Sequence, residues 1–219
     1  MRPFSFRPAT LEDIPALVAL EEKVEKNLPS RDMFAIDGPE FYAPILAGAG
    51  HILLAFDSAG LLAGVNVLRY PTVDDNENLG FNVGLEPSEL ARVRHMESIF
   101  LRPDCQGHGL AYALQKEAMR LWSDDGKDIS LATVWPSNVA SLTLFFRLGF
   151  TVRAFAYKYG GKPRFILMQS SAPLTLGESV AYAVADDFEE HCRLLACGMV
   201  GMGVKCEGER ILIEFRNAL

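Results

Sequence analysis

The amino-acid sequence predicts an α/β (α+β) fold, and three observations support this class. Short apolar runs of strand length alternate with stretches whose apolar residues recur at helical spacing. Two neighbouring runs, 51–56 and 61–70, are joined by Asp57-Ser58-Ala59-Gly60, which is typical of a hairpin turn. A glycine-rich turn at 106–109 leads from a strand directly into a helix. Hydrophobic residues make up 49% of the 219 residues, enough for a sizeable buried core.

Each element follows from a local pattern. Thr10, Asn138 and Asp187 can accept hydrogen bonds from first-turn amides, so each predicts the start of a helix. The apolar runs that end at Gly, Pro or Asp predict strands. We expect strands at 4–7, 51–56, 61–70, 94–102, 129–134, 150–159, 164–169, 179–184 and 211–215, and helices after Thr10 and at 110–122, 138–148 and 187–199.

Residues 71–91 interrupt this alternation. They are rich in Asp, Glu, Asn and Gly and contain few apolar residues. An insert of this length between two strands is uncommon in a compact domain and is often functional. The sequence alone leaves two interpretations open: a functional acidic insert or a solvated surface loop.

The charge and the cysteines narrow the function classes. The formal net charge is −7, which argues against a nucleic-acid partner because phosphate contacts need clustered Lys and Arg. No apolar run approaches the length of a membrane span, and the N-terminus has no secretory apolar region. The four cysteines form no CxxC pair, which predicts free thiols and a cytoplasmic protein. His191, Cys192 and Cys197 lack a fourth ligand at suitable spacing, so we expect no metal site.

The turn at 106–109 carries the clearest chemical signal. Gly107 and Gly109 allow a tight bend in which several amides point at one spot, and the following helix adds a positive dipole end. This arrangement favours a phosphate or pyrophosphate ligand. A plain strand-to-helix turn is the structural alternative.

The same stretch resembles the GCN5-related N-acetyltransferase (GNAT) superfamily. Gln106-Gly107-His108-Gly109-Leu110-Ala111 is similar to the family's Gln/Arg-x-x-Gly-x-Gly/Ala motif. Downstream, the segment 138–150 is similar to its second signature, a helix that starts at Asn and ends in Gly-Phe. The resemblance covers about residues 4–170. It implies a GNAT fold: a mixed, mostly antiparallel sheet flanked by helices, splayed between the strands at 94–102 and 129–134.

The resemblance also implies acetyl-CoA (coenzyme A) as co-substrate. The amides of the 106–111 turn are expected to hold its pyrophosphate, and the pantetheine arm to pair with the preceding strand like an added strand. Asn138 is expected to contact the arm as well as to cap its helix. The candidate coenzyme A residues are Ile99, Phe100, Leu101, Gln106, Gly107, His108, Gly109, Leu110, Ala111, Asn138 and Ser141.

The implied reaction is direct acetyl transfer to an amine. The nitrogen must be neutral to attack, so a proton acceptor is needed, and Glu97 is the candidate base. Strict strand alternation places His95, Glu97, Ile99 and Leu101 on one face and Met96, Ser98 and Phe100 on the other. His95 is then a partner or substitute base.

The general acid departs from the family pattern. Many members carry a Tyr where this sequence has Phe145, which has no proton to donate. Three alternatives stay open: Tyr157 or Tyr159 protonates the leaving thiolate, Ser141 assists, or the thiolate leaves unaided, since a thiol pKa near 8.5 makes it a tolerable leaving group.

Residues 1–171 are expected to form the acetyltransferase domain, and residues 172–219 a small βαβ-like extension that packs on the domain or on a second subunit, which includes a homodimer. The acceptor is expected to be a small-molecule amine or a protein amino group. Two further functions remain open: a non-catalytic acyl-CoA-binding or sensing module, and an interaction protein built on the GNAT scaffold.

Overall fold

The computed structural model describes residues 4–27 and 38–219. Its helices are α1 (Ile14–Glu25), α2 (Pro39–Pro44), α3 (Pro87–Leu90), α4 (Leu110–Leu121), α5 (Val139–Arg147) and α6 (Phe188–Ala196). Its strands are β1 (Ser5–Pro8), β2 (Gly50–Phe56), β3 (Leu62–Arg69), β4 (Val93–Leu101), β5 (Ile129–Val134), β6 (Thr151–Lys158), β7 (Lys162–Ser170), β8 (Leu176–Val184), β9 (Met199–Glu207) and β10 (Arg210–Ala218).

The chain divides into two compact units, and each unit is built from two separate segments. Unit 1 consists of Met1–Pro71 and Arg94–Lys127, and unit 2 of Thr72–Val93 and Asp128–Leu219. Within unit 1 the strand order is β1-β2-β3-β4, and within unit 2 it is β5-β7-β6-β9-β10-β8. The pairings inside each unit are antiparallel. The predicted mixed, mostly antiparallel sheet with flanking helices is confirmed.

The core of unit 1 lies between its strands and helices α1 and α2. Side chains from β2, β3 and β4 alternate inward, as expected for strands with one buried face. This alternation brings Val65, Val67 and Phe100 against Leu17 of α1. These packed side chains hold β3 in place, and β4 is hydrogen-bonded to β3.

A buried polar pair lies under α4 on the other face of this sheet. Asn66 of β3 and Gln115 of α4 are 1% and 0% exposed. Asn66 Nδ2 donates to Gln115 Oε1 at 2.6 Å, and Gln115 Nε2 donates to Met96 Sδ at 3.1 Å. These bonds fix the position of α4 over the sheet, although Asn66 Oδ1 is buried without a hydrogen-bond partner among the described residues.

We expect Gln115→Leu to lower the free energy of unfolding by about 1–3 kcal/mol, because the Asn66 amide then stays buried without its acceptor. The measurement is urea denaturation followed by circular dichroism. The matched control is the double variant Asn66→Val/Gln115→Leu, which removes both polar partners and should regain most of the loss. A double variant less stable than Gln115→Leu would contradict this account.

The core of unit 2 includes the polar insert. Leu79 is 5% exposed and packs with Ile129, Leu131 and Ile166, and Leu90 is also buried. A 3₁₀ turn at Leu79–Val83 and helix α3 occupy this stretch, and the Asn78 side chain accepts from the Gly80 amide. Although the insert has few apolar residues, Leu79 attaches it to the strands of unit 2.

The C-terminal part contains one strand more than the sequence predicts. β8 and β9 both pair antiparallel with β10, which lies between them, and α6 connects β8 to β9. The sequence pattern extends the α6 stripe to Met199, but Met199 begins β9. In unit 2, β9 pairs with β6 through Gly201 and Val152.

Candidate functional site

Strand β4 carries Glu97 at a β-bulge. In the pairing of β3 with β4, Val67 lies opposite Ser98 and Leu68 opposite Met96, so Glu97 has no partner on β3. One extra residue in a strand shifts the side-chain alternation beyond it and bends the strand locally. Bulges of this kind often re-aim a side chain next to an active site.

The bulge overturns the expected faces of β4. Met96 contacts Gln115 of α4, whereas Phe100 packs in the core with α1, so these two side chains lie on opposite faces. Leu101 and Leu114 of α4 both lie over Gly64, which places Leu101 on the α4 face. The predictions that Met96 and Phe100 share one face, and that Glu97 and Leu101 share the other, are wrong because strict alternation does not survive the extra residue.

Glu97 lies in a cluster with Arg69 and His95. Arg69 Nε donates to Glu97 Oε2 at 2.9 Å, and Arg69 Nη2 lies 3.0 Å from His95 Nδ1. His95 Nδ1 is 3.4 Å from Glu97 Oε2. The side chains of Arg69 and Glu97 are 21% and 19% exposed, and that of His95 is 3% exposed. Glu97 is thus ion-paired yet still within reach of solvent.

The charge state of this cluster follows from its contacts. Burial raises the pKa of Glu97, but the hydrogen bond with His95 and the positive charge of Arg69 outweigh burial and hold that pKa below the usual range. His95 Nδ1 can accept from Arg69 only when the imidazole is neutral, and it can donate to Glu97 only when protonated. Near neutral pH Glu97 is therefore a carboxylate that accepts hydrogen bonds.

The glycine-rich turn joins β4 to α4. A 3₁₀ turn at Pro103–Cys105 precedes it, and Gly109 is the residue before the first turn of α4. Gly107 and Gly109 have φ values of 76° and 79°, a region that residues with a Cβ rarely adopt. Cys105 and Leu110, at either end, are each 1% exposed. Between these buried ends the turn is exposed to solvent.

This turn has the features of an anion site. The first four amides of an α-helix have no acceptor within the helix, and α4 is long enough, at 12 residues, to carry a dipole. A Cβ added at Gly107 or Gly109 would meet no atom within 4 Å, so the space above both glycines is open. The Gln106 side chain turns back and donates to the Leu101 carbonyl at 3.4 Å. His108 is exposed in the same turn.

Ile99, Phe100 and Leu101 lie on β4 between the bulge and the turn. Their backbones pair with Asn66, Val65 and Gly64 of β3, respectively. Phe100 and Leu101 are buried at 3% and 8% exposure, and Ile99 is half-buried. Pairing of the pantetheine arm with this stretch stays a prediction.

The second signature begins at a helix cap. The Asn138 side chain accepts from the Ser141 amide at 3.1 Å, which makes Asn138 the cap of α5. Phe145, four residues before Gly149, is 4% exposed and packs edge-on against Phe150 at 5.0 Å between ring centroids. This position is part of the core of unit 2. Contact of Asn138 and Ser141 with coenzyme A stays a prediction.

The two candidate acids lie at the end of β6. Tyr157 is 61% exposed, and its ring contacts Phe155 and Phe188. Tyr159 is 49% exposed, its hydroxyl lies 3.0 Å from Thr133 Oγ1, and its φ of 51° marks a sharp turn. Both hydroxyls belong to unit 2, and their catalytic role stays a prediction.

The acidic insert is partly neutralised by its own neighbours. Glu77 forms an ion pair of 2.8 Å with Lys158, the last residue of β6. Glu86 and Glu89 cap α3. No three His, Cys, Asp or Glu side chains within residues 4–27 and 38–219 lie together in a group able to hold a metal ion.

Comparison with known proteins identifies the family. The model of the acetyltransferase (GNAT) family matches residues 25–150, more than half of the chain. This chain belongs to the GNAT acetyltransferase family. The resemblance predicted from the two motifs is confirmed, and the extension is outside the matched range. None of the curated proteins matches this acetyltransferase significantly.

Solved structures share the fold of this acetyltransferase at low sequence identity. The protein yncA from Salmonella typhimurium, solved with its cofactor acetyl-CoA, has 18% identity and a TM-score of 0.58, over 81% of this chain and 99% of that chain. The NatC complex bound to Gag peptide and CoA has 16% identity and a TM-score of 0.57, over 78% and 100%. The ribosomal-protein-S18-alanine N-acetyltransferase from Escherichia coli has 17% identity and a TM-score of 0.53, over 78% and 97%.

Arg69 is the member of the Glu97 cluster that no sequence motif predicts. It is the last residue of β3, and the antiparallel register places it directly opposite His95. The sequence does show a charged residue at the end of an apolar strand. Its partner cannot be read from the sequence, because it depends on the register between β3 and β4. In the part of this acetyltransferase that the structure describes, no helix is long and apolar enough to cross a membrane.

Proposed function

We propose that this acetyltransferase transfers the acetyl group of acetyl-CoA directly to a primary amine within a ternary complex. The observation that carries the proposal is the exposed Gly107–Gly109 turn at the start of α4. The free amides at the start of α4 suit a strongly anionic ligand on a protein of net charge −7. The neighbours solved with acetyl-CoA or CoA support the same ligand.

The proposed ligand contacts follow from the same turn. Amides of Gln106–Ala111 hold the pyrophosphate, with His108 flanking it. The pantetheine arm runs beside Ile99–Leu101, and Asn138 and Ser141 contribute polar contacts from α5. The Asn138 cap leaves its Nδ2 donors for a second partner, since only Oδ1 accepts from Ser141.

The acetyl transfer needs a proton acceptor for the amine and a hydrogen-bond donor that stabilises the developing oxyanion. The amine nitrogen forms a bond to the thioester carbonyl carbon, the carbon–sulfur bond breaks, and one proton leaves the nitrogen. We propose that Glu97 accepts a hydrogen bond from the amine directly or through a water and guides this proton to solvent. A β4 amide near Phe100 or Leu101 stabilises the oxyanion.

The leaving thiolate has no acid at position 145, because Phe145 is buried and carries no hydroxyl. We propose Tyr157 or Tyr159 as the proton donor, with unaided departure as the alternative. The exposure of both residues, 61% and 49%, supports the donor role, since a donor must exchange protons with water. The absence of a hydroxyl at 145 also supports a second candidate function, a non-catalytic acyl-CoA-binding or sensing module.

The acceptor class and the setting are further proposals. Neighbours in complex with a peptide, or named for a ribosomal-protein alanine, support a protein amino group, and a small-molecule amine is the other class. We propose that the protein acts in the cytoplasm, where free thiols at the exposed Cys192, Cys197 and Cys206 persist. Residues 172–219 are proposed to form the small extension and to support a homodimer.

The deciding experiment measures binding and turnover separately. Isothermal titration calorimetry with acetyl-CoA should give saturable binding, and a free-thiol assay should detect coenzyme A release with one or more members of a panel of polyamines, amino acids and peptides. Binding with no thiol release on any acceptor would favour the sensing module. Absence of both would overturn the proposal.

A further inference from the structure

The geometry points to Arg69 as the positioning residue that holds Glu97 in place for proton transfer. This inference rests on the proposed function, because it assigns a role in the reaction of the same site. It goes beyond that function by naming a residue of β3, which lies outside both family-like motifs.

The bulge explains why Glu97 needs a positioning residue. Glu97 has no partner on β3, so the pairing of β3 with β4 does not fix its conformation. Its carboxylate is instead held by the Arg69 Nε–H at 2.9 Å. A guanidinium is planar and always charged, so it fixes the direction of a carboxylate more narrowly than an ammonium group does.

The register between β3 and β4 explains why Arg69 can reach both His95 and Glu97. Arg69 lies directly opposite His95, and paired residues in antiparallel strands project their side chains on the same face. One guanidinium therefore contacts His95 Nδ1 through Nη2 and Glu97 Oε2 through Nε. These two contacts set the orientation of the carboxylate.

The cluster is only partly closed to solvent, as proton transfer from Glu97 to water requires. His95 is almost fully buried, but Glu97 retains 19% exposure. One carboxylate oxygen, Oε2, receives the contacts from both neighbours. In our proposal Oε1 is the acceptor that faces the amine or the bridging water, and Arg69 keeps it aimed.

The experiment is a double-mutant cycle on the wild-type reaction. We expect Arg69→Met to lower kcat by about 10- to 100-fold with the KM for acetyl-CoA unchanged within about twofold. In the Glu97→Gln background the same substitution should change kcat by less than about threefold, because a residue that acts through Glu97 has nothing left to position. Arg69→Lys, which keeps the charge, should recover part of the rate.

A pH profile separates positioning from stability. Without Arg69, the pKa of Glu97 rises, because a positive charge and a hydrogen bond that hold it low are lost. In Arg69→Met, log(kcat/KM) should therefore begin to fall with one additional unit of slope at a higher pH than in the wild-type profile. The control is Arg92→Met, which removes an ion pair with Asp128 of 2.7 Å elsewhere in the chain and should leave the rate and the profile unchanged.

A titration without substrate distinguishes failure of the proposed function from failure of the positioning role of Arg69. Carbon-13 NMR of the Glu97 carboxyl in wild type and Arg69→Lys reports whether the guanidinium contact holds the carboxylate, whether or not any amine is acetylated. A changed titration with no turnover by the wild type would overturn the proposed function. The positioning role would be overturned if Arg69→Met left kcat unchanged. It would also be overturned if the substitution lowered kcat by the same factor in the wild-type and Glu97→Gln backgrounds. If Arg69→Met does not fold, the pH profile of Arg69→Lys is the deciding measurement. A rate and a pH profile in Arg69→Lys equal to those of the wild type would contradict the positioning role.

Discussion

Replacing Glu97 by Gln is expected to lower kcat/KM for the amine by about 10²- to 10⁴-fold while the affinity for acetyl-CoA stays unchanged. The substitution keeps the size of the side chain and its ability to accept from Arg69, but it removes the negative charge that draws the proton from the amine. Steady-state thiol release gives kcat/KM, and calorimetry gives the dissociation constant for acetyl-CoA.

A second carboxylate serves as the control for Glu97. Glu117 of α4 also pairs with an arginine, Arg120, at 2.7 Å, and its side chain is 28% exposed, close to the 19% of Glu97. We expect Glu117→Gln to keep the wild-type rate. Glu97→Gln with unchanged rate and pH profile would exclude Glu97 as the proton acceptor and direct attention to His95.

The sign of the pH effect at Glu97 follows from its lowered pKa. A group whose folded pKa is depressed stabilises the protein above its unfolded pKa and loses that contribution as the pH falls through the folded value. The Glu97 ion pair should therefore persist at neutral pH and weaken only under acid conditions. In Glu97→Gln this acid-dependent part of the stability disappears, which urea denaturation at several pH values can measure.

Gly109→Ala is expected to weaken acetyl-CoA binding by at least about tenfold. A φ of 79° costs an L-residue about 1–2 kcal/mol, so the turn shifts or keeps its shape under strain. If the shape is kept, the new methyl group stands in the open space where the pyrophosphate must approach the amides. Gly107→Ala, at 76°, should behave in the same way. Calorimetry with acetyl-CoA measures the effect.

Gly126 provides a matched control for this prediction. It has a φ of 75° and no atom within 4 Å of an added Cβ, but it follows the end of α4 instead of preceding its start. Gly126→Ala should lose a similar amount of stability and keep its affinity for acetyl-CoA. Equal losses of affinity in both variants would show that strain, and not contact with the ligand, causes the effect.

Much of the fold could be predicted because its signals are local. The turn at 106–109, the Asn138 cap and most strands are encoded by residues next to one another. β9 was missed because Gly201 and Gly203 are poor strand formers. The structure explains Gly201: a Cβ there would lie 2.9 Å from Val152 Cβ, so only glycine lets β9 approach β6.

The candidate site could be predicted only in part, for a related reason. Glu97 and the turn follow from local motifs, but the Arg69 contact depends on how β3 and β4 align. The bulge that sets this alignment depends on both strands together, and neither strand has a sequence pattern that predicts it. The buried leucines of the insert were hidden because Leu79 and Leu90 are isolated among polar residues, without a period.

The position of β10 has a consequence for how the protein is made. β10 lies between β8 and β9, and its Ile213 and Phe215 are fully buried. A ribosome synthesises β8 first, yet β8 has no partner in this three-stranded arrangement until residues 210–218 emerge. The nascent chain must therefore hold a strand with unpaired amides through the synthesis of α6 and β9, a period in which chaperones or premature aggregation compete with folding.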